Sequence, residues 1–299
     1  MDLRDVEEKS YGAALLYFTG SKAHNIALRN IAVDRGWKLN EYGLFSKTKS
    51  IAGATETDIY KKLGLQFMPP ELREDRSEIA LAQKNALPHL VQLADIRGDL
   101  HLHSNWSDGD APIAEMARAR GYEYMALTDH SRRVTVAHGL DRARLLRQIK
   151  EVDRLNAKMR GFTVLKGVEV DILADGELDL PDEVLSRLDL VVAAVHYKFD
   201  VSREKQTERI IRALDNRHVA ILAHPTGRLI EEPPPYELDL ERVMLAAKER
   251  GCALEINAEP DRQDLTDVAA KAAKGLGVRI AISTDARTPQ PLSPACVSA

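Results

Sequence analysis

Seven largely apolar runs along this chain read as β-strands, and nearly all of them stop at a residue able to bind a metal. The endings are His101-Leu-His103, Asp129-His130, Glu169, His196, His224, Glu255-Ile-Asn257 and Asp285. In a closed parallel barrel every strand ends on the same face. Scattered segments therefore converge on one pocket. A pocket with five histidines and several carboxylates needs cations to neutralise and order it.

Leu165–Glu169, Leu190–His196, Val219–His224 and Val278–Asp285 are mostly uninterrupted apolar runs, the pattern of strands buried on both faces. Helical stretches lie between them at Pro112–Arg120, Asp141–Met159, Arg203–Asn216 and Leu240–Arg250. Pro112 suits a first helical position, where no backbone N–H is needed. Leu145, Ile149, Val152 and Leu155 recur at helical spacing. This alternation predicts an α/β fold. A single histidine after an apolar run is ordinarily a hydrogen-bonded core residue. Repetition on strand after strand is what points to a ligand set.

The 299 residues suit one large domain plus a small one, with 44% hydrophobic and 29% charged residues. A net charge of −4 argues against a global basic field. Metal-binding carboxylates would lower that charge locally. Cys252 and Cys296 form no C-x-x-C pair, which argues against thiolate zinc sites and a disulfide framework. Cys252 begins a predicted strand and reads as a small buried apolar residue. There is no apolar run of membrane-spanning length and no signal peptide, so a reducing cytoplasm and no membrane partner are expected. The sequence is silent on oligomeric state.

Residues 1–62 read as one unit, 63–97 as a connector and 98–299 as the barrel. Gly12–Thr19 fits either a strand or the start of a helix. Ser21 is the expected N-cap of a helix running to about Arg35 and stopped by Gly36. Lys38–Phe45 reads as extended. The connector contains the stiff step Met68-Pro69-Pro70-Glu71 and a polar helix ending before Pro88. Beyond Asp285, Pro289, Pro291 and Pro294 exclude a closing helix, so the barrel is expected to be incomplete at its C-terminal end.

Side chains two apart share one face of a strand, so His101 and His103 can bind one ion. Asp108 sits in Trp106-Ser-Asp-Gly109, where glycine permits a tight turn. Glu169 and Asp285 are carboxylates at strand ends, and Glu169 could bridge two ions. Such multi-metal sites suit phosphoester hydrolysis and require no serine or cysteine nucleophile. His24, His89, His138 and His218 fit no metal motif.

The stretches Asp99-Leu-His-Leu-His-Ser104, Ser107-Asp-Gly109, Leu127-Thr-Asp-His-Ser131, Gly167-Val-Glu-Val-Asp171, Ala194-Val-His196, Ala223-His-Pro-Thr-Gly227, Glu255-Ile-Asn257 and Ser283-Thr-Asp-Ala286 occur in that order. Together they resemble the polymerase-and-histidinol-phosphatase (PHP) family. The resemblance implies a distorted (β/α)7 barrel with up to three divalent ions. His101, His103, Glu169 and Asp285 would hold one, and Glu169, His196 and His224 a second. The third would use Asp108, His130 and a histidine two residues past the last aspartate. That position is Arg287, which cannot ligate a metal. The histidine-rich donor set permits zinc, manganese or iron, with zinc or manganese expected.

Tyr17-Phe-Thr-Gly-Ser-Lys22, Asn25, Arg29 and Leu39-Asn-Glu-Tyr-Gly43 resemble the thumb subdomain of family X DNA polymerases. Thumb, connector and barrel in that order resemble the C-terminal half of the bacterial members. By this resemblance Tyr17, Phe18, Gly20 and Ser21 would border a nucleotide. Asn25 and Arg29 would face the base pair and template. Without it, Tyr17 and Phe18 could equally be core aromatics. Asp2 would be the last of three palm carboxylates, so the chain would start inside the palm and no polymerase activity is expected.

The resemblance implies a metal-dependent phosphoesterase acting as a 3′–5′ exonuclease on DNA in repair. Glu169, Asp285 and His103 would be catalytic through a metal-bound water. A phosphatase for small phosphomonoesters and an inactive DNA-binding fragment are the alternatives.

Overall fold

The computed structural model of the chain describes residues 4–118, 121–232 and 234–289. The chain divides into two compact units at Leu90/Val91. Asp2, with its expected palm role, Cys296 and the proline-rich tail from residue 290 lie outside the described residues.

The first unit contains helices α1 (Tyr11–Phe18), α2 (Lys22–Asp34), α3 (Glu56–Lys62) and α4 (Glu78–Gln83). An antiparallel sheet of β1 (Trp37–Asn40), β2 (Gly43–Ser46) and β3 (Lys49–Ala52) completes it. The ambiguous stretch around Gly12–Thr19 is helical, because its burial follows a helical period. Ala13 and Leu16 are buried while Tyr17 and Phe18 are exposed. Ser21 caps α2 by accepting the His24 N–H at 3.1 Å. Gly20 before it has φ +85°, and a Cβ there would meet the Arg73 side chain at 2.5 Å, so only glycine fits. Leu16, Leu28, Leu44, Ile59 and Tyr60 form the core. Leu63, Leu65, Met68 and Ala82, from the stretch expected to be a connector, sit in that same core.

The second unit is a parallel barrel. Its strands are β4 (Gly98–Leu102), β5 (Tyr124–Leu127), β6 (Thr163–Asp171), β7 (Leu190–Ala194), β8 (Val219–Leu222), β9 (Ala253–Asn257) and β10 (Arg279–Ser283). They pair in sequence order as one 7-stranded sheet. The sheet is nearly closed past the end of β10, where Leu102 bridges Ala286 in parallel and the Asp285 N–H donates to the His101 carbonyl at 2.8 Å. Helices α5 (Ile113–Arg118), α6 (Arg142–Asn156), α7 (Asp182–Leu185), α8 (Arg203–Leu214), α9 (Leu240–Arg250) and α10 (Asp267–Leu276) fill the crossovers. Asp141, Ser202, Asp239 and Thr266 cap α6, α8, α9 and α10 through their side chains.

Two apolar layers result. Outward residues such as Val168, Val170, Val191 and Ala193 pack with Ile210, Val243 and Met244 of the helices. Val192 is registered opposite Glu169 and Ala194 opposite Asp171, so these face inward, joined by Ile221, Ala223 and Ala281. Burying each Val- or Leu-sized side chain stabilises the barrel by about 1.5–3 kcal/mol. Ala194, Ala223 and Ala281 are the small members of the inner layer, and they leave room beside the strand ends for imidazoles. Cys252 is buried just before β9, as expected. Among the described residues no helix is long and apolar enough to cross a membrane.

Candidate metal centre

Glu169 is the hub of the pocket. Its Oε1 lies 3.0 Å from His224 Nε2 and 3.1 Å from His196 Nε2. Its Oε2 lies 2.9 Å from His130 Nδ1, 3.4 Å from His101 Nε2 and 3.6 Å from His103 Nε2. Five imidazoles from four different strand ends thus surround one carboxylate. Asp285 Oδ1 adds a contact of 2.9 Å to His103 and one of 3.7 Å to His101. Both His224 (φ +27°) and Asp285 (φ +54°) adopt positive φ, a strained backbone for residues with side chains.

Three overlapping sets place one donor atom per residue within 4.8 Å of each other: His101, His103 and Asp285; His103, His130 and Glu169; Glu169, His196 and His224. The fit to cations can be tested on the atoms themselves. His101 Nε2 and His103 Nδ1 are buried without a hydrogen-bond partner, and His130 Nδ1 and Glu169 Oε2 lie 2.9 Å apart without an aligned hydrogen bond. Orphaned buried polar atoms are costly, and clustered lone-pair donors are what a divalent ion satisfies. The residues present therefore fit a metal centre.

Electrostatics agree. Burial opposes charging His196 and His130, yet Glu169 and neighbouring aspartates overcome it and push them up to about 9 and about 10. Burial likewise opposes ionising Glu169, but His130, His196 and His101 hold it well below its usual range. Positive charge is stabilised at this point whether carried by protons or by ions.

A second layer aims the ligands. Glu255 Oε1 takes His101 Nδ1 at 2.7 Å, and Asp171 Oδ1 takes His196 Nδ1 at 3.0 Å. Each leaves Nε2 facing Glu169. Ser283 Oγ donates to Glu255 at 2.9 Å, and Asn257 Nδ2 donates to Asp285 Oδ2 at 3.1 Å. Asp99 accepts from the Thr284 N–H at 3.1 Å and its hydroxyl at 2.5 Å, anchoring the residue before Asp285. Asp129 accepts from Ser104, Ser107 and Gln148, fixing the loop that carries Asp108. Gly109 in that loop is required, since a Cβ would meet the His103 carbonyl at 2.6 Å.

Every residue expected to ligate a metal lies around this pocket, but Asp108 is engaged differently. Its Oδ1 is 3.4 Å from His103 Nδ1 and its Oδ2 is 3.5 Å from His130 Nε2. Arg287 Nε also donates to Oδ2 at 2.8 Å. Despite burial, His130, His103 and Arg287 hold the Asp108 carboxyl far below its usual range. Sequence reasoning counted Asp129 and Glu255 only among strand endings able to bind a metal, and gave Asp171 and Asp99 no role of their own. Asp171 was detectable by one signal, since it is a carboxylate two residues past Glu169 on the same strand.

Tyr17 and Phe18, in the other unit, are 39% and 54% exposed and meet edge to face with ring centroids 5.0 Å apart, so they are not core residues. Asn25 Nδ2 donates to the Tyr17 and Ser21 carbonyls, and Arg29 Nε donates to the Asn25 carbonyl at 3.4 Å. Gly20 and Ser21 form the turn between α1 and α2. His24 is buried in this unit's core, and its Nδ1 is 2.7 Å from Glu78.

Residues 14–74 match the DNA polymerase beta thumb, and residues 99–259 match the PHP domain. The chain is 44% identical over 291 residues to the Bacillus subtilis (strain 168) protein named DNA polymerase/3′-5′ exonuclease PolX. That match covers 96% of this chain and 51% of the relative, so the chain spans about half that protein's length. A protein named probable phosphatase from Thermoanaerobacter sp. (strain X514) is 35% identical over 203 residues, covering 63% of this chain and 78% of the relative. A solved structure named "putative histidinol phosphatase" from Listeria monocytogenes shares the fold at a TM-score of 0.51 and 13% identity, covering 64% of this chain and 96% of its own.

Proposed function

The chain belongs to the PHP domain family, a family of metal-dependent domains, and from that premise we propose that it is a phosphoesterase removing nucleotides from the 3′ ends of DNA. The observation that carries the reading is Glu169 within 3.6 Å of five imidazoles. A carboxylate so surrounded is built to share its two oxygens between ions. Bound divalent ions would supply Lewis acidity that neutralises phosphate oxygens and activates water.

The protein's own residues do the rest. His101, His103 and Asp285 would hold one ion, and Glu169, His196 and His224 another. Glu255 and Asp171 keep His101 and His196 oriented. Burial of the donor set keeps bulk water from competing for it. The imidazole and carboxylate donors suit zinc or manganese. DNA as substrate draws support from the thumb match and from the name of the Bacillus relative. Tyr17 and Phe18 offer exposed rings on which bases or sugars can rest, with Asn25 and Arg29 beside them. We assign the unit up to Leu90 to this thumb-like part and the unit from Val91 to the hydrolase.

A second reading, a phosphatase for small phosphomonoesters, is favoured by the Thermoanaerobacter relative, of which the chain covers 78%. The test is digestion of 3′-labelled and 5′-labelled oligonucleotides in manganese, beside a nitrophenyl phosphate assay. Stepwise shortening from the 3′ end, lost in Glu169→Gln, is expected. Turnover of the small ester with no attack on DNA would replace the exonuclease reading with the phosphatase one.

A further inference from the structure

Arg287 stands among the pocket's donors but cannot be one of them. Its Nε donates to Asp108 Oδ2 at 2.8 Å and its Nη1 to the Asp285 carbonyl at 3.1 Å. Nη1 also lies 3.3 Å from Asp285 Oδ1 and 3.8 Å from Glu259 Oε2. Asp108 is the carboxylate that His103 and His130 share on this side of the pocket. The guanidinium therefore fills the position from which an ion would reach Asp108, and two cations a few Å apart repel. Nη2 has no hydrogen-bond partner among the described residues, and the side chain remains 37% exposed. With Nε and Nη1 anchored, Nη2 is the free donor of a guanidinium held in place, and such a donor can take a phosphate oxygen.

Resting on the phosphoesterase reading, we propose that Arg287 is a phosphate-binding residue standing in for a metal ion at Asp108. The pocket then holds at most two ions. The third positive charge is covalent, present at every metal concentration, and oriented by Asp108 and the Asp285 carbonyl. A guanidinium cannot activate water, so this corner holds the phosphate and leaves hydrolysis to the His101 and His224 sides.

The test uses the full chain loaded with manganese. Metal content is counted by mass spectrometry and inorganic phosphate binding is measured by calorimetry. The parent is expected to carry no more than two ions. Arg287→Met should keep that count while binding phosphate about tenfold more weakly or worse. Arg287→Lys should recover part of the loss, as a point charge without the fork. If the methionine variant sheds its ions, the lysine variant provides the same comparison. Arg287→His should gain one equivalent, and no gain would overturn the replacement of an ion. A third equivalent in the parent, or undiminished phosphate binding in Arg287→Met, would also overturn the inference. No phosphate binding by the loaded parent would overturn the phosphoesterase reading along with it.

Discussion

Glu255 and His101 meet at 2.7 Å through Oε1 and Nδ1, while the other oxygen of Glu255 accepts the His224 backbone N–H, also at 2.7 Å. One buried carboxylate thus orients an imidazole from β4 and the main chain past β8. Replacing it with glutamine keeps the shape but loses the anionic acceptor. Glu255→Gln is expected to weaken metal affinity about 10- to 100-fold, as for other partners of ligating histidines. Competition against a fluorescent chelator measures this, and unchanged affinity would contradict the orienting role.

Glu169 belongs to two of the three candidate donor sets, and His130 to one. Glu169→Ala should therefore abolish nearly all phosphoester hydrolysis and lower bound metal. His130→Ala should retain more of both. Paired measurements of turnover and metal content decide the ranking, and a reversed order would show that Glu169 is not the hub.

The first unit should weaken on acidification. His24 is fully buried, with Nε2 3.1 Å from the Tyr60 hydroxyl. Burial pulls its pKa below the usual 6.5, outweighing the opposite effect of Glu78. A histidine kept neutral by folding contributes stability above its unfolded pKa, and that contribution declines as pH falls below about 6.5. Burial would raise Glu78, but His24 and the N–H groups of Asp75 and Arg76 hold it below 4.5. Its contribution is complete above 4.5 and is lost as pH falls through its folded value. Thermal unfolding followed from pH 7.5 downward should show falling stability of this unit, beginning near 6.5 and flattened by His24→Gln. A midpoint that rises on acidification would contradict the assignment.

Tyr17 and Phe18 carry exposed rings that the core does not need. The double substitution Tyr17→Ala, Phe18→Ala should leave thermal stability and small-ester hydrolysis nearly unchanged. DNA affinity should fall by about 1–3 kcal/mol per stacked base. Anisotropy titrations with a short primer–template would show it, and equal affinity would remove these rings from the proposed DNA surface.

The barrel and its ligands were legible because two periodicities coincide. Apolar runs ending at His196, His224 and Asp285 mark strands, and parallel closure brings their ends together. The capping role of Ser21 was legible for a similarly local reason. Relationships between distant residues were not. Only the family resemblance put position 287 beside Asp108, 179 positions away, and no local pattern foretold that the arginine there would donate to that carboxylate. Asp129 ends its strand like a ligand, yet its oxygens serve the 104–107 loop, because the alternating pleat sends His130 the other way. Gly12–Thr19 was ambiguous because its short apolar run fits either period, and packing on Ile59 and Leu44 decided it.

The closure between Leu102 and Ala286 ties assembly of the chemistry to synthesis of the chain. His103 and Asp285 are 182 residues apart and share one contact of 2.9 Å. No ribosome-bound chain that stops short of Asp285 can present the complete donor set. Contacts of such long sequence separation form late and slowly. An ion that needs both ends of the barrel binds only once Asp285 has been added, and by mass action it draws late intermediates toward the closed form. Metal supply during translation would then set the yield of folded protein as well as the activity of each molecule.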